Sequence, residues 1–247
     1  MLCYTPLPLI ISLNIHETMS FYRHHSDETF LGVMTSLIFL TLLIWNFQSA
    51  FYYLGFPPSA VLLIIWLSFL GSLINIPITY VESEGTEVVE VPVSFFGFRY
   101  VVPVYKQPNR TLIAINVGGA VIPVIIATLL LIMRPVAILY VIPGTIIAAI
   151  IIHRFAKVVP HVGIAVPFFV PPMVSALIAV IFSWGNHELA PIIAYSVGTF
   201  GSLIGADLLN LKKIPETKAP IASIGGAGTF DGVFLAGIFA VLLVAFF

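Results

Sequence analysis

Residues 189–211 read LAPIIAYSVGTFGSLIGADLLNL, a run in which Asp207 is the only formally charged side chain. At 1.5 Å per helical residue, about 20 such residues cross a bilayer core of roughly 30 Å. A carboxylate placed inside a span costs about 2.5 to 3.5 kcal/mol on insertion scales, so it marks a place where something other than stability was selected. This one stretch predicts both a membrane-spanning helix and the position of a functional site.

The rest of the chain agrees with the class. Of 247 residues, 60% are hydrophobic and 9% charged, and the mean hydropathy is +1.10. Such values belong to an integral membrane protein. Seven stretches are long enough to span: 30–53, 58–80, 111–133, 135–153, 163–185, 189–211 and 220–246. The expected fold is therefore an all-α polytopic membrane protein of about seven transmembrane helices, forming one domain over 30–247. Residues 1–29 read as an interfacial segment. Pro6 to Leu13 is apolar but too short to span, and Tyr22, Arg23, His24 and His25 face water. With no basic stretch ahead of it, the segment does not read as a cleaved signal peptide. Cys3 is the only cysteine, which excludes an intramolecular disulfide and a cysteine-based metal site.

Orientation follows from the ten Lys and Arg residues. With seven spans, Arg23, Arg99, Lys106, Arg110, Arg154, Lys157, Lys212, Lys213 and Lys218 fall on one side, and Arg134 on the other. The positive-inside rule then puts the N-terminus in the cytoplasm and the C-terminus outside. Net charge is -1, and the basic residues are spread along a membrane face, so membrane lipid is the expected partner and nucleic acid is not.

The loop 81–110 is more than a connector. Glu82, Glu84, Glu87 and Glu90 precede a run of β-branched and aromatic residues from Val91 to Tyr105, which reads as strand. Gly97 lies near the middle, with Pro92 and Pro103 on either side, predicting a small cytoplasmic β-hairpin between spans 2 and 3. Packing on the helix ends is its first reading; an edge that accepts an extended peptide is the second.

Asp207 and Asp231 are the only acidic residues within the expected spans. Asp207 lies five residues before Lys212, or roughly 7 to 8 Å inside the boundary. Asp231 lies eleven residues after Pro220, about 16 Å deep if all helical. Gly225, Gly226 and Gly228 lower helix propensity, so the last helix is expected to begin near Ala227 and bring the two acids nearly level. Gly205, Gly228 and Gly232 permit close approach of another backbone. Ser202, Thr199 and Asn210 offer hydrogen bonds.

Two carboxylates in a confined site cannot both ionise comfortably and titrate as a pair. The charged one can take a proton from water while the neutral one donates to a carbonyl oxygen, which hydrolyses a peptide bond without a metal. Gly228-Thr229-Phe230-Asp231 and Ile204-Gly205-Ala206-Asp207 resemble the motifs of the GxGD-type intramembrane aspartyl proteases, the group of presenilin, signal peptide peptidase and the prepilin and preflagellin peptidases. The resemblance implies catalytic Asp207 and Asp231, a transmembrane peptide substrate and no cofactor. Ala206 stands where presenilin has tyrosine, and no Pro-Ala-Leu occurs. The whole chain also resembles a family of archaeal and bacterial multipass proteins, through Asn116-Val117-Gly118-Gly119-Ala120-Val121-Ile122-Pro123.

The alternative class is an ion- or proton-coupled transporter or channel using the same Asp pair. Pro and Gly interrupt Gly163–Pro172 and Ile115–Pro123, and broken helices can expose carbonyls to a cation. A third reading makes the pair a purely structural contact. No HExxH occurs, and Gly225 to Gly232 lacks the Lys-Ser/Thr of a phosphate-binding loop.

Overall fold

A computed structural model describes residues 34–35, 38, 41–42, 44–82, 90–95, 98–103, 110–160, 163–226 and 232–245; for 90–103 it describes the backbone only. The expected interfacial segment 1–29 lies outside them. The chain divides into two units, Met1–Asn46 and Phe47–Phe247. In the first, the described residues are helical, and Asn46 Nδ2 donates to the Leu42 carbonyl one turn back at 2.7 Å.

The second unit opens with helix α1 (47–53), which stops at Gly55, a glycine with φ +85°. Pro57 and Pro58 then start α2 (Pro58–Ser72), since proline at the first helical position sacrifices no hydrogen bond. Leu62, Leu63, Trp66, Leu67 and Leu70 leave one side of α2 apolar and exposed.

After α2 the helical expectation fails. Span 58–80 ends as a helix at Ser72 and continues as strand β1 (Asn75–Glu82). Alternation of Asn75, Pro77 and Thr79 with Ile76, Ile78 and Tyr80 is a period-2 pattern that mean hydropathy hides. Span 111–133 likewise begins as strand β4 (Arg110–Asn116) and becomes helical only from Val117. Between them, β2 (Glu90–Phe95) and β3 (Phe98–Pro103) pair antiparallel, with Phe95 opposite Phe98 and Pro92 opposite Val101. This is the hairpin expected around Gly97.

A π-helical turn, Val117–Val121, leads into α3 (Ile122–Met133). A short connection brings the chain back as α4 (Ile138–Phe155). Strands β5 (Lys157–Val159) and β6 (Gly163–Ala165) pair antiparallel before α5 (Val170–Ser183), so span 163–185 also starts as strand. Asn186 Oδ1 accepts from the N–H groups of Glu188 and Leu189, in the turn that leads into α6 (Leu189–Ser202). The helical path runs on through a π-helical turn at Leu203–Asp207 and a 3-10 stretch at Leu208–Lys213 to the short α7 (Ile214–Thr217). Strand β7 (Ile221–Ile224) and α8 (Gly232–Val244) complete the described chain, where a single span 220–246 was expected.

The protein is thus mostly helical, with small β-sheets rather than all-α. Two helical stretches, Pro135–Phe155 and Leu189–Thr217, are long and apolar enough to cross a membrane. Four other apolar helices, over Pro58–Ser72, Val117–Met133, Val170–Ser183 and Gly232–Val244, are shorter. Every residue from Ala190 to Thr199 is buried, as a helix apolar on all sides requires. Helices α3, α4, α5 and α8 surround α6.

Strands β1, β4 and β7 form one sheet in the order β1-β4-β7. The β1–β4 pair is antiparallel, interrupted between Pro77 and Thr79. The β4–β7 pair is parallel, with Leu112 opposite Ile221 and Ile115 opposite Ile224. Ile113, Ile214 and Ile224 form a small core where the sheet meets α7. Thr111 Oγ1 donates to the Ala219 carbonyl at 2.7 Å, fastening β4 to the chain entering β7.

Candidate functional site

Asp207 closes the π-helical turn at the end of α6 and is half-buried. Such a turn admits one extra residue into the helix, swings the following side chains round its axis and frees carbonyl groups from the regular ladder. Asn210, 1% exposed, satisfies two of them. Its Nδ2 donates to the Gly205 carbonyl at 3.1 Å and to the Ala206 carbonyl at 2.9 Å. Its Oδ1 accepts from Lys213 Nζ at 2.9 Å. The hydrogen bonds that Asn210 was expected to offer near Asp207 go to the backbone that carries it.

The acid itself is fixed from the far side of the sheet connection. Gly225 N–H donates to Asp207 Oδ2 at 2.8 Å. Gly225 has φ +82°, and a Cβ there would lie 2.7 Å from Ala120 N, so both the conformation and the space call for glycine. Gly226, with φ +90°, extends the turn, and its N–H donates to the Ser223 carbonyl. The glycine run breaks the last span as its composition suggests: among the described residues, helix resumes at Gly232.

Asp207 borders a cavity of about 560 Å³. Ser202 of α6, Ala206 of the π-helical turn, Ile164 and Ala165 of β6, and Ile221 to Ile224 of β7 form part of its wall. Gly226 and Gly232 line it as well. These two are the described residues on either side of 227–231, the segment that holds Gly228 and Asp231, both of which lie outside the described residues. Among the described residues nothing lies within 4 Å of where a Cβ on Gly232 would project. Gly205 does something different: its missing Cβ would sit 2.6 Å from the Ala149 carbonyl oxygen, and it serves the packing of α6 on α4.

Sequence reasoning did not find the polar joint that carries the sheet. Asn116, fully buried, donates to the Ser72 carbonyl at 2.7 Å and to Asn75 Oδ1 at 3.2 Å, and accepts from Gly119 N–H at 2.7 Å. Ser223, on the cavity wall, donates to the same Asn75 oxygen at 2.6 Å. The break at Ile115–Pro123, a candidate cation path from sequence, is thus capped by its own asparagine. Among the described residues no three His, Cys, Asp or Glu side chains converge.

Residues 69–243 match the family described as Protein of unknown function (DUF1614). The chain belongs to this family. The DUF1614 region runs from within α2 into α8, and the described residues lining the cavity all fall inside it. No curated protein and no solved structure shows significant similarity to the chain.

Proposed function

We propose that this DUF1614 protein is a multipass membrane protein that hydrolyses peptide bonds of membrane-embedded substrates with Asp207 and Asp231. The observation that carries the reading is the cavity wall, where the Asp207 carboxylate shares one space with Gly226 and Gly232, the flanks of the Gly-x-hydrophobic-Asp motif. An extended peptide has a reason to lie there. Strand β7 is an outer strand of its sheet among the described residues and lines the cavity along its whole length, which suits recognition by strand addition.

The chemistry is that of two carboxyls sharing one proton. The ionised one removes a proton from water as its oxygen adds to the scissile carbonyl, and the other protonates the carbonyl oxygen. Collapse of the tetrahedral adduct then breaks the C–N bond, with a proton passing to the amine. The seven-span topology, with the N-terminus cytoplasmic and the C-terminus external, belongs to the same proposal. Helices α2, α4 and α6 each run on toward a strand, and α3, α5 and α8 each follow one. In this reading the strands lie on the cytoplasmic side, with Arg110, Lys157, Lys212 and Lys213.

The test is cleavage of a transmembrane peptide by the purified protein in lipid, comparing wild type with Asp207→Asn and Asp231→Asn. Cleavage lost in both folded variants is the expected result; the Gly225 bond survives, because an asparagine at 207 still accepts through its side-chain oxygen. Retained cleavage in either variant refutes the dyad. A wild type that cleaves nothing but shows ion flux dependent on Asp207 replaces hydrolysis with transport.

A further inference from the structure

The two helical stretches of membrane length, Pro135–Phe155 and Leu189–Thr217, run side by side in the same direction. Gly144 of α4 faces Val197 of α6, Ala148 faces Gly201 and Ile152 faces Gly205, so the two advance in step. Phe155, the last residue of α4, is then level with Leu208. At the start of the pair the charges balance, because Arg134 and Glu188 form an ion pair of 3.3 Å.

At the other end they do not. Arg154 lies in the last turn of α4, Lys157 opens β5, Lys212 and Lys213 end the 3-10 stretch, and Lys218 follows α7. Glu216 is the only acidic residue in 154–160 and 208–218. Helix α7 packs on β5, which brings Lys157 toward the segment that Lys213 and Lys218 bracket. Lys213 Nζ donates to Asn210 Oδ1, while Arg154, Lys157, Lys212 and Lys218 are exposed. Attraction to a helix C-terminus accounts for Arg154 and Lys212. Lys157 and Lys218 lie outside helix, and cations gathered in this way repel one another unless an anion joins them.

The surface beside these cations is apolar. Phe155, Leu208 and Leu209 are exposed at the same level, and Ile146, Ile147 and Ile150 continue the exposed apolar surface along α4. A soluble phosphate would use the cations alone, whereas an amphiphile uses both surfaces. We propose that the shared end of α4 and α6 docks an anionic phospholipid, its headgroup phosphate held by Arg154, Lys157, Lys212 and Lys218 and its acyl chains lying on Phe155, Leu208 and Leu209. The Arg154 guanidinium suits two phosphate oxygens at once, and the lysines act as point charges. The bound lipid seats the segment that carries Asn210 and Lys213, and through the Asn210 amide the turn that carries Asp207. The inference rests on the membrane reading above and not on hydrolysis.

The experiment is electron spin resonance of the full chain in phosphatidylcholine vesicles containing trace chain-labelled phosphatidylglycerol or phosphatidylcholine. A basic residue near an anionic headgroup favours it by about fivefold, and unselective boundary positions dilute this. The immobilised fraction is therefore expected to favour phosphatidylglycerol by at least about twofold at low salt, and less at high salt. The double variants Arg154→Gln/Lys157→Gln and Lys212→Gln/Lys218→Gln are each expected to bring the ratio close to one. Arg110→Gln, exposed in β4, is expected to leave it unchanged. Lys212→Gln compared with Lys212→Arg, which restores the charge, gives the same reading if a double variant does not fold. Equal immobilisation of the two lipids by wild type, a ratio untouched in the folded variants, or one lowered as much by Arg110→Gln overturns the site. Inorganic phosphate that abolishes the preference where sodium chloride of equal ionic strength does not gives the surface to free phosphate and also overturns it. A chain that immobilises neither lipid refutes the membrane reading itself.

Discussion

Replacing Asn210 with leucine removes the clamp from the turn that carries Asp207 while leaving a side chain of the same branched skeleton. Two amide hydrogens are lost, one from the Gly205 carbonyl and one from the Ala206 carbonyl. Each buried acceptor left unsatisfied costs about 1 to 3 kcal/mol. The contact to Ala206 is only partly buried, so the pair together cost about 2 to 4 kcal/mol. Burying the leucine methyl groups returns about 1 kcal/mol. The net expectation is a loss of about 1 to 3 kcal/mol, or roughly 5- to 150-fold in the folding equilibrium. Reversible unfolding in mixed micelles measures it. Lys213→Met is the control, since it loses only the part-buried bond from Lys213 Nζ to Asn210 Oδ1 and is expected to cost about 1 kcal/mol, the low end for an acceptor left unsatisfied. An Asn210→Leu protein as stable as wild type, or no less stable than Lys213→Met, refutes the argument that side-chain bonds hold the turn.

Gly225→Ala forces a positive-φ backbone and a contact with the Ala120 backbone; a loss of about 3 kcal/mol or more is expected on thermal unfolding, together with loss of whatever activity needs Asp207. Thr111→Val deletes the bond to Ala219 and should cost about 1 kcal/mol in the same assay. Glu188→Gln breaks an exposed ion pair with Arg134, 3.3 Å long; its melting temperature should match wild type in high salt, since such pairs are worth under about 1 kcal/mol and are screened.

Asp207 stands out in the sequence because a charge in an apolar run costs free energy that no surrounding pattern offsets, and the structure puts it on the wall of a cavity. The helices α4 and α6 were legible for the related reason that their apolar runs are long enough to leave no other reading. Residues 75–82 and 110–116 were not, since Ile76, Ile78, Ile113 and Ile115 raise the mean hydropathy of a strand as readily as that of a helix. Only the period of two separates them. The parallel pairing of β4 with β7 has no local signature at all, because each strand's partner lies more than a hundred residues away. The same holds for the bond from Gly225 to Asp207: the glycines announce a turn, but which carboxylate receives its N–H depends on the tertiary fold.

That parallel pairing also orders events during synthesis. Leu112 meets Ile221, a partner made 109 residues later. At about 5 to 20 residues per second, β4 waits roughly 5 to 20 s for it on the ribosome. Until Gly225 is made, Asp207 lacks the N–H that holds its carboxylate. The carboxylate is thus fixed by a residue translated 18 positions after it, and until then the turn at Leu203–Asp207 carries the acid without that bond.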